Sequence, residues 1–333
     1  METRLLTDIN AAAEILRRDG LVAFPTETVY GLGANATSEV AIERLFHAKG
    51  RPSDNPLIVH IGKLEDWSLA AAEMTESAKL LLEMFSPGPI TVILPKSKKI
   101  VTAVTGGLQT VGLRIPELKL ARELLVRTAL PIAAPSANIS GRPSCTSWQS
   151  VHEDMDQRID AILQGDATRI GVESTVVDCT RQDSVQVLRT GAISQQKIYD
   201  LVPQARPSSE APSIRSPGTK HPHYQPNARV IAVEPGARVE VSEGSFAYCG
   251  LRPLVADRLS AHGALADKLS NDELLELVEQ QVYSSLEEFA ADFYAFLRRC
   301  DRNGIANVLV ELAPNRGLGE ALRDRQLRAA GRS

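Results

Sequence analysis

Leu21-Val22-Ala23-Phe24-Pro25-Thr26-Glu27-Thr28-Val29-Tyr30-Gly31-Leu32-Gly33-Ala34-Asn35-Ala36 is the stretch on which the fold turns. LVAF reads as a buried strand, and residues 31–36 satisfy G-x-G-x-x-A, the form of a dinucleotide fingerprint. That fingerprint needs glycines that close a strand and open a helix at once, with an acidic residue about 20 positions on. Here the glycines follow a second extended segment, Thr28–Tyr30, and the next strand, Leu57–Ile61, ends on His60-Ile61 with no Asp or Glu. A nicotinamide or flavin turn is therefore rejected, and the chain holds no G-x-x-x-x-G-K-[ST] phosphate loop.

Outward from this stretch, helices and strands alternate. Upstream, Asp8 is a good N-cap for an amphipathic helix to Arg18, ended by Gly20. Downstream come a helix from about Ser38 to Lys49, the strand at 57–61 and a helix from about Thr75 to Phe85. After the turn residues Pro87, Gly88 and Pro89, strands are expected at ITVIL (90–94), VGLRI (111–115), PIAA (131–134), STVVD (174–178) and VQVL (185–188). So many consecutive short strands indicate mixed α/β structure rather than a simple βαβ series. Residues 203–226 carry six prolines among Ser, Gly and Gln, a linker composition stiff enough to lie as a strap over a surface. Beyond it, RVIAV, FAYCG and NVLVEL read as strands, and 272–299 and 319–330 as helices of a second, smaller α/β domain. The expected division is 1–203, a linker or lid at 204–227, and 228–333.

Composition narrows the function. The 333 residues include 37 Lys+Arg against 41 Asp+Glu, a net charge of −4 that excludes a strongly basic nucleic-acid coat. Hydrophobic residues at 43% and charged residues at 23% support a real core. The N-terminus has no secretory pattern, and no uninterrupted apolar stretch reaches the roughly 18 residues of a membrane span, so a cytoplasmic setting is expected. Cys145, Cys179, Cys249 and Cys300 form no C-x-x-C pair, and His221 and His223 lack a third ligand at metal spacing.

The chemistry-bearing candidates each have a bland alternative. In Lys49-Gly50-Arg51-Pro52-Ser53-Asp54-Asn55-Pro56, two cations and an amide stand on a proline-stiffened turn, an array suited to a triphosphate or merely to a helix C-terminus. Pro135-Ser136-Ala137-Asn138 and Ser140–Ser144 offer neutral hydrogen bonds at a strand end, or simple turns. Ser136 lacks the G-x-S-x-G setting of a hydrolase nucleophile. Arg114 and His60 are polar residues in apolar strands, and a buried Arg needs an anion, either a protein carboxylate or a ligand. Glu173-Ser174-Thr175 and Arg189 are equally consistent with strand capping and a surface cation.

Taken in order, PTETVYGLGANA (25–36), KGRP…NPLIVHI (49–61), SPGPITVIL (86–94), TVGLRIP (110–116), PIAAPSANISGRPS (131–144) and GVESTVVD (171–178) resemble the Sua5/YrdC family. SPGTKHPHYQPNA (216–228) is similar to its inter-domain linker and GLGEALRDRQLRAA (317–330) to the end of its C-terminal domain, so the likeness spans nearly the whole chain. The resemblance implies a twisted, open mixed-sheet catalytic domain and a smaller Rossmann-like Sua5 domain. It implies synthesis of L-threonylcarbamoyl-AMP from L-threonine, bicarbonate or CO2, and ATP, with release of pyrophosphate, for N6-threonylcarbamoyladenosine in tRNA. The product would pass to a tRNA threonylcarbamoyl-transferase machinery. Direct tRNA contact is left open.

Carried onto this sequence, the family's roles give threonine contacts at Thr28, His60, Arg114, the main chain of Ala134, and Ser174. They give nucleotide contacts at Arg51, Asn55, Thr110, Ser136, Ser144, Arg189 and Tyr224. Lys49 and Arg51 would stabilise phosphate charge, Mg2+ would ride on the ATP phosphates without protein ligands, and no covalent nucleophile is expected. The sequence departs from the family pattern at Thr190, Thr219 and Gln225, which bears on the rigidity of the linker more than on the arginine and tyrosine it keeps. The alternatives are a non-catalytic RNA-binding module and a carbamoyl-phosphate-using relative, whose zinc-finger cysteines this chain lacks.

Overall fold

The Asp8 carboxylate caps the first helix by accepting the Asn10 amide proton at 2.8 Å, and Ser38 and Thr75 cap the next two in the same manner. The helix begun at Asp8 stops by a different device from the expected one. Asp19, not Gly20, takes the left-handed conformation (φ 60°), whereas Gly20 is small because a Cβ there would lie 2.4 Å from the Ile15 side chain. The computed structural model describes residues 2–182, 184–207, 224–242, 244–255, 259–262 and 275–331.

The chain divides into two units, Met1–Ser140 with Ser144–His221, and Gly141–Pro143 with Pro222–Ser333. In the first, strands and helices run β1 (Arg4–Leu6), α1 (Ile9–Arg17), β2 (Val22–Phe24), β3 (Gly31–Asn35), α2 (Glu39–Lys49), β4 (Ile58–His60), α3 (Glu76–Phe85), β5 (Ile90–Pro95) and β6 (Thr110–Arg114). There follow α4 (Lys119–Thr128), β7 (Ile132–Ala133), α5 (Trp148–Met155), β8 (Ala161–Leu163), β9 (Thr175–Arg181), β10 (Ser184–Arg189), α6 (Gln195–Leu201) and β11 (Arg206–Pro207). The strands form one mixed sheet in the order β1-β8-β2-β3-β7-β4-β6-β5-β9-β10-β11.

The opening stretch is a pair of antiparallel strands, Val22 opposite Gly33 and Phe24 opposite Gly31. Its glycines open no helix. A Cβ on Gly33 would stand 3.0 Å from the Phe24 ring and 3.1 Å from Ile132, so these positions are bare because the aromatic ring lies across them. LVAF is apolar throughout because β2 is buried on both faces. Leu21 and Ala23 join one cluster with Leu32, Val59 and Leu113, while Val22 and Phe24 join another with Leu16, Leu124 and Ile132.

The second unit has a four-stranded, all-parallel sheet in the order β12-β17-β14-β16, from β12 (Arg229–Val233), β14 (Gly244–Gly250), β16 (Leu275–Val282) and β17 (Asn307–Glu311). A short parallel pair, β13 (Val239–Ser242) with β15 (Leu259–His262), and helices α7 (Leu286–Arg302) and α8 (Leu318–Ala329) complete its described part. The single helix expected over 272–299 is instead a strand followed by a helix. Residues 275–282 pair along β14 at the edge of the sheet, and helix starts only where Ser285 accepts the Glu288 amide proton. From there Phe289, Phe293, Phe296 and Leu297 make one buried stripe. Residues 141–143 belong to this unit: Gln225 donates its amide to the Gly141 carbonyl at 2.8 Å, and the buried Arg298 donates through Nε and Nη2 to the Pro143 carbonyl. Residues 208–223, which carry most of the expected lid, lie outside the described residues. Among the described residues no helix is long and apolar enough to cross a membrane.

Candidate active site

Sheet order sets the site. Through the run β7-β4-β6-β5-β9, His60 stands opposite Arg114, Leu113 opposite Val92, and Ile90 opposite Thr175. Residues opposite one another share a face, so the ends of these strands present His60, Arg114, Thr91 and the segment before Thr175 together.

Arg114 is buried, and its anionic partner is within the protein. Nη2 donates to Glu27 Oε1 at 2.5 Å and to Thr28 Oγ1 at 2.9 Å, while Glu27 Oε2 accepts the Glu117 amide at 2.9 Å. The guanidinium is thus held at one edge, and its buried Nε has no hydrogen-bond partner. Thr28 is fixed in turn by the Thr26 hydroxyl at 2.9 Å. Sequence reasoning missed Glu27, although the signal was present: it is the sole charged residue between Asp19 and Glu39, one position from the threonine that was singled out.

His60 is buried with its Nδ1 at 3.2 Å from the Ile58 carbonyl. Burial, reinforced by the Arg114 charge and opposed by the Ile58 and Ile132 carbonyls, pulls its pKa down from 6.5 to about 3, so it is neutral at physiological pH. Between about 6.5 and about 3 the unfolded chain binds a proton at His60 that the native state refuses, so stability falls as the pH is lowered through that window. Its limiting slope is about 1.4 kcal/mol per pH unit. Urea unfolding of the wild type and His60→Gln at pH 4 to 7 should show a shallower loss for the variant; parallel curves would contradict a buried neutral imidazole.

Ser174 and Arg189 meet from neighbouring strands. The Ser174 and Thr91 hydroxyls are 2.8 Å apart, and Arg189 donates to the Ser174 carbonyl (Nη2, 3.0 Å) and hydroxyl (3.3 Å). Gly191 lets the chain pass close behind them, since a Cβ there would fall 2.3 Å from both Ser174 C and Thr175 N. Backbone cannot yield as a side chain does. Gly191→Ala should therefore cost about 2–3 kcal/mol, the upper range for overpacking, and shift ligand affinity with it; an unchanged denaturation midpoint would be the contrary result.

Lys49, expected beside phosphates, is almost fully buried. Its ammonium donates to the main-chain carbonyls of Ser136 (2.6 Å) and Asn138, and its own carbonyl accepts the Ser140 amide at 2.9 Å. It braces the loop that carries Ser136, whose hydroxyl donates to Asn138 Oδ1 at 2.5 Å. Arg51, half-buried, donates to the Pro56 carbonyl at 3.0 Å, and the buried Asn55 Nδ2 has no partner. Ala134 hydrogen-bonds the Ile58 carbonyl through its amide, Thr110 begins β6, and the buried Ser144 hydroxyl donates to Glu173 Oε1 at 3.0 Å. Tyr224 belongs to the second unit. There it adopts φ 68° and stacks on Tyr294 (centroids 5.3 Å apart), with the Arg325 guanidinium 5.7 Å over its ring.

The mixed sheet, with a buried arginine, a neutral histidine and hydroxyls at adjoining strand ends, joined in one chain to a parallel-sheet unit, defines a two-unit α/β protein. Residues 14–191 match the family model of Sua5, YciO and YrdC, described as telomere recombination, and residues 185–331 match the one described as threonylcarbamoyl-AMP synthase, C-terminal domain. The chain belongs to the Sua5/YrdC family. It is 41% identical to the threonylcarbamoyl-AMP synthase of Pyrococcus abyssi, over 97% of this chain and 94% of that one. It is 39% identical to that of Bacillus subtilis, over 97% and 93%. Its fold is similar to the crystal structure of P. abyssi Sua5 complexed with L-threonine, with a TM-score of 0.82 and 35% identity over 99% and 98% of the two chains.

Proposed function

We propose that the chain is an enzyme that makes L-threonylcarbamoyl-AMP and pyrophosphate from L-threonine, bicarbonate or CO2, and ATP. The observation that carries this reading is full-length likeness to a threonine-complexed relative, combined with a buried, partly satisfied guanidinium among hydroxyls at the ends of adjoining strands. Thr28, His60, Arg114, the Ala134 main chain and Ser174 hold threonine. Arg51, Asn55, Thr110, Ser136, Ser144, Arg189 and Tyr224 hold ATP.

The neutral amine of threonine adds to CO2 and gives up one proton to solvent, and an oxygen of the resulting carbamate attacks the α-phosphorus as the bond to pyrophosphate breaks. Alignment and fixed charge supply most of the acceleration, so no side chain needs to form a covalent bond. Arg51 stabilises phosphate charge directly, and Lys49 acts by bracing the 136–140 loop. A neutral His60 cannot trap a carboxylate as a second ion pair, which leaves Arg114 as the anchor for threonine's carboxylate. The amides, hydroxyls and cations gathered here suit phosphate oxygens, and the nearby buried carboxylates are engaged by protein groups, Glu27 by Arg114 and Glu173 by Ser144; Mg2+ would therefore be held by the ATP phosphates and water, where it would offset phosphate charge. The product passes to a cytoplasmic tRNA-modifying transferase. A bare RNA-binding role is not favoured, because phosphate contacts dominate RNA affinity and the chain is net negative.

Pyrophosphate release tests the reading. It should require threonine and bicarbonate together, and carbamoyl phosphate should not replace them. Release that ignores threonine, or that carbamoyl phosphate supports, would overturn it.

A further inference from the structure

The second unit has a cavity of about 350 Å³ at the carboxyl edge of its parallel sheet, within the usual range for small-ligand sites, roughly 300–1,000 Å³. In open parallel sheets ligands bind at that edge. Val233, Val239, Leu254 and Leu259 give it an apolar wall, and Gly236, at φ 84°, turns the backbone along its border. Its polar lining holds one buried carboxylate, Glu311, and an exposed one, Glu234, that is paired with Arg323. Glu311 terminates β17, an interior strand of the sheet, and accepts from Tyr248 OH (3.0 Å), the Arg252 amide (2.9 Å) and Arg252 Nε (2.8 Å). Gly250 has no side chain because Tyr248 and Glu311 press against it: a Cβ there would lie 2.4 Å from the Tyr248 hydroxyl and 2.5 Å from Glu311 Oε2.

Two of the carboxylate's three partners are rigid, one being backbone and the other a buried ring. The third, the Arg252 side chain, is 63% exposed, and a ligand that donates to the buried carboxylate in its place keeps that charge hydrogen-bonded. A vicinal diol donates two hydrogen bonds to such a carboxylate, and the released guanidinium is then free to meet a phosphate. We propose that this cavity binds a ribonucleoside monophosphate, with the base on the apolar wall, the ribose diol on Glu311 and the phosphate on Arg252. All the lining residues belong to the second unit, and the proposal does not depend on the synthase reading.

Hydrogen–deuterium exchange on the full chain reports each unit separately. The four ribonucleoside monophosphates and the 2′-deoxy form of each serve as probes. At least one ribonucleotide should protect amides in 233–239 and 311–313, with binding about tenfold weaker or worse for the deoxy form and for Arg252→Ala. Glu311→Gln should abolish the protection. Arg252 is exposed enough for its variant to fold, so that variant decides the matter if Glu311→Gln does not fold. No protection of these segments by any ribonucleotide would overturn the proposal, as would equal protection by the deoxy form or in Arg252→Ala, leaving Glu311 and Arg252 as a structural ion pair.

Discussion

Arg114→Ala is expected to be the most damaging single substitution in the first unit, and for two separable reasons. Removing the guanidinium leaves Glu27 as a buried carboxylate whose charge partner is gone, which costs about 3–5 kcal/mol. It also removes the anchor proposed for the carboxylate of threonine. Truncating one member of a buried, hydrogen-bonded charge pair at a binding site costs about 2–5 kcal/mol, so kcat/KM for threonine should fall by about 100-fold or more. The ATP dependence should change far less. The double variant Arg114→Met with Glu27→Gln separates the causes, because it removes both charges and should recover most of the stability. If activity returned with stability, Arg114 would be structural only.

Lys49→Met is expected to have the second largest effect. Methionine keeps the apolar stem but deletes the ammonium that donates to the Ser136 and Asn138 carbonyls. Losing a charged donor to these carbonyls costs about 1.5–3 kcal/mol for each hydrogen bond. The loop they belong to carries Ser136, so its loosening should raise KM for ATP at least tenfold while KM for threonine moves little. Direct phosphate stabilisation by Lys49 would lower kcat instead and leave KM unchanged. Steady-state kinetics with each substrate varied in turn distinguishes a brace from a phosphate ligand.

These two residues also show what the sequence discloses and what it withholds. Motif positions are local, and so are helix caps, so Asp8, Ser38 and Thr75 could be read directly as helix starts. Buried charge in an apolar strand is equally visible, which is why Arg114 and His60 stood out. Its compensation is not local. Glu27 meets Arg114 across 87 positions, and Lys49 meets Asn138 across 89. Pairing across the sheet, which sets β7 between β3 and β4 and β6 beside β4, brings such partners together. The expected helix over 272–299 failed for a related reason. Leu275–Val282 has enough apolar residues for either structure, and pairing with β14, a neighbour distant in sequence, decides for strand.

Glycines divide along the same line. Gly50, at φ 59°, ends α2 in the left-handed conformation that only local backbone requires. Gly31, Gly33 and Gly191 are bare because other parts of the chain press against them. In one dimension G-L-G-A-N-A can be mistaken for a phosphate turn; in three it is a strand that makes room for Phe24.

Mass spectrometry of the product formed from ATP, Mg2+, threonine and ¹³C-bicarbonate tests the proposed reaction most directly. Threonylcarbamoyl-AMP heavier by the one labelled carbon is expected, absent when any reactant is omitted and strongly reduced in Arg114→Ala. Binding of threonine and ATP with no such product, or a product that carries no label, would contradict it.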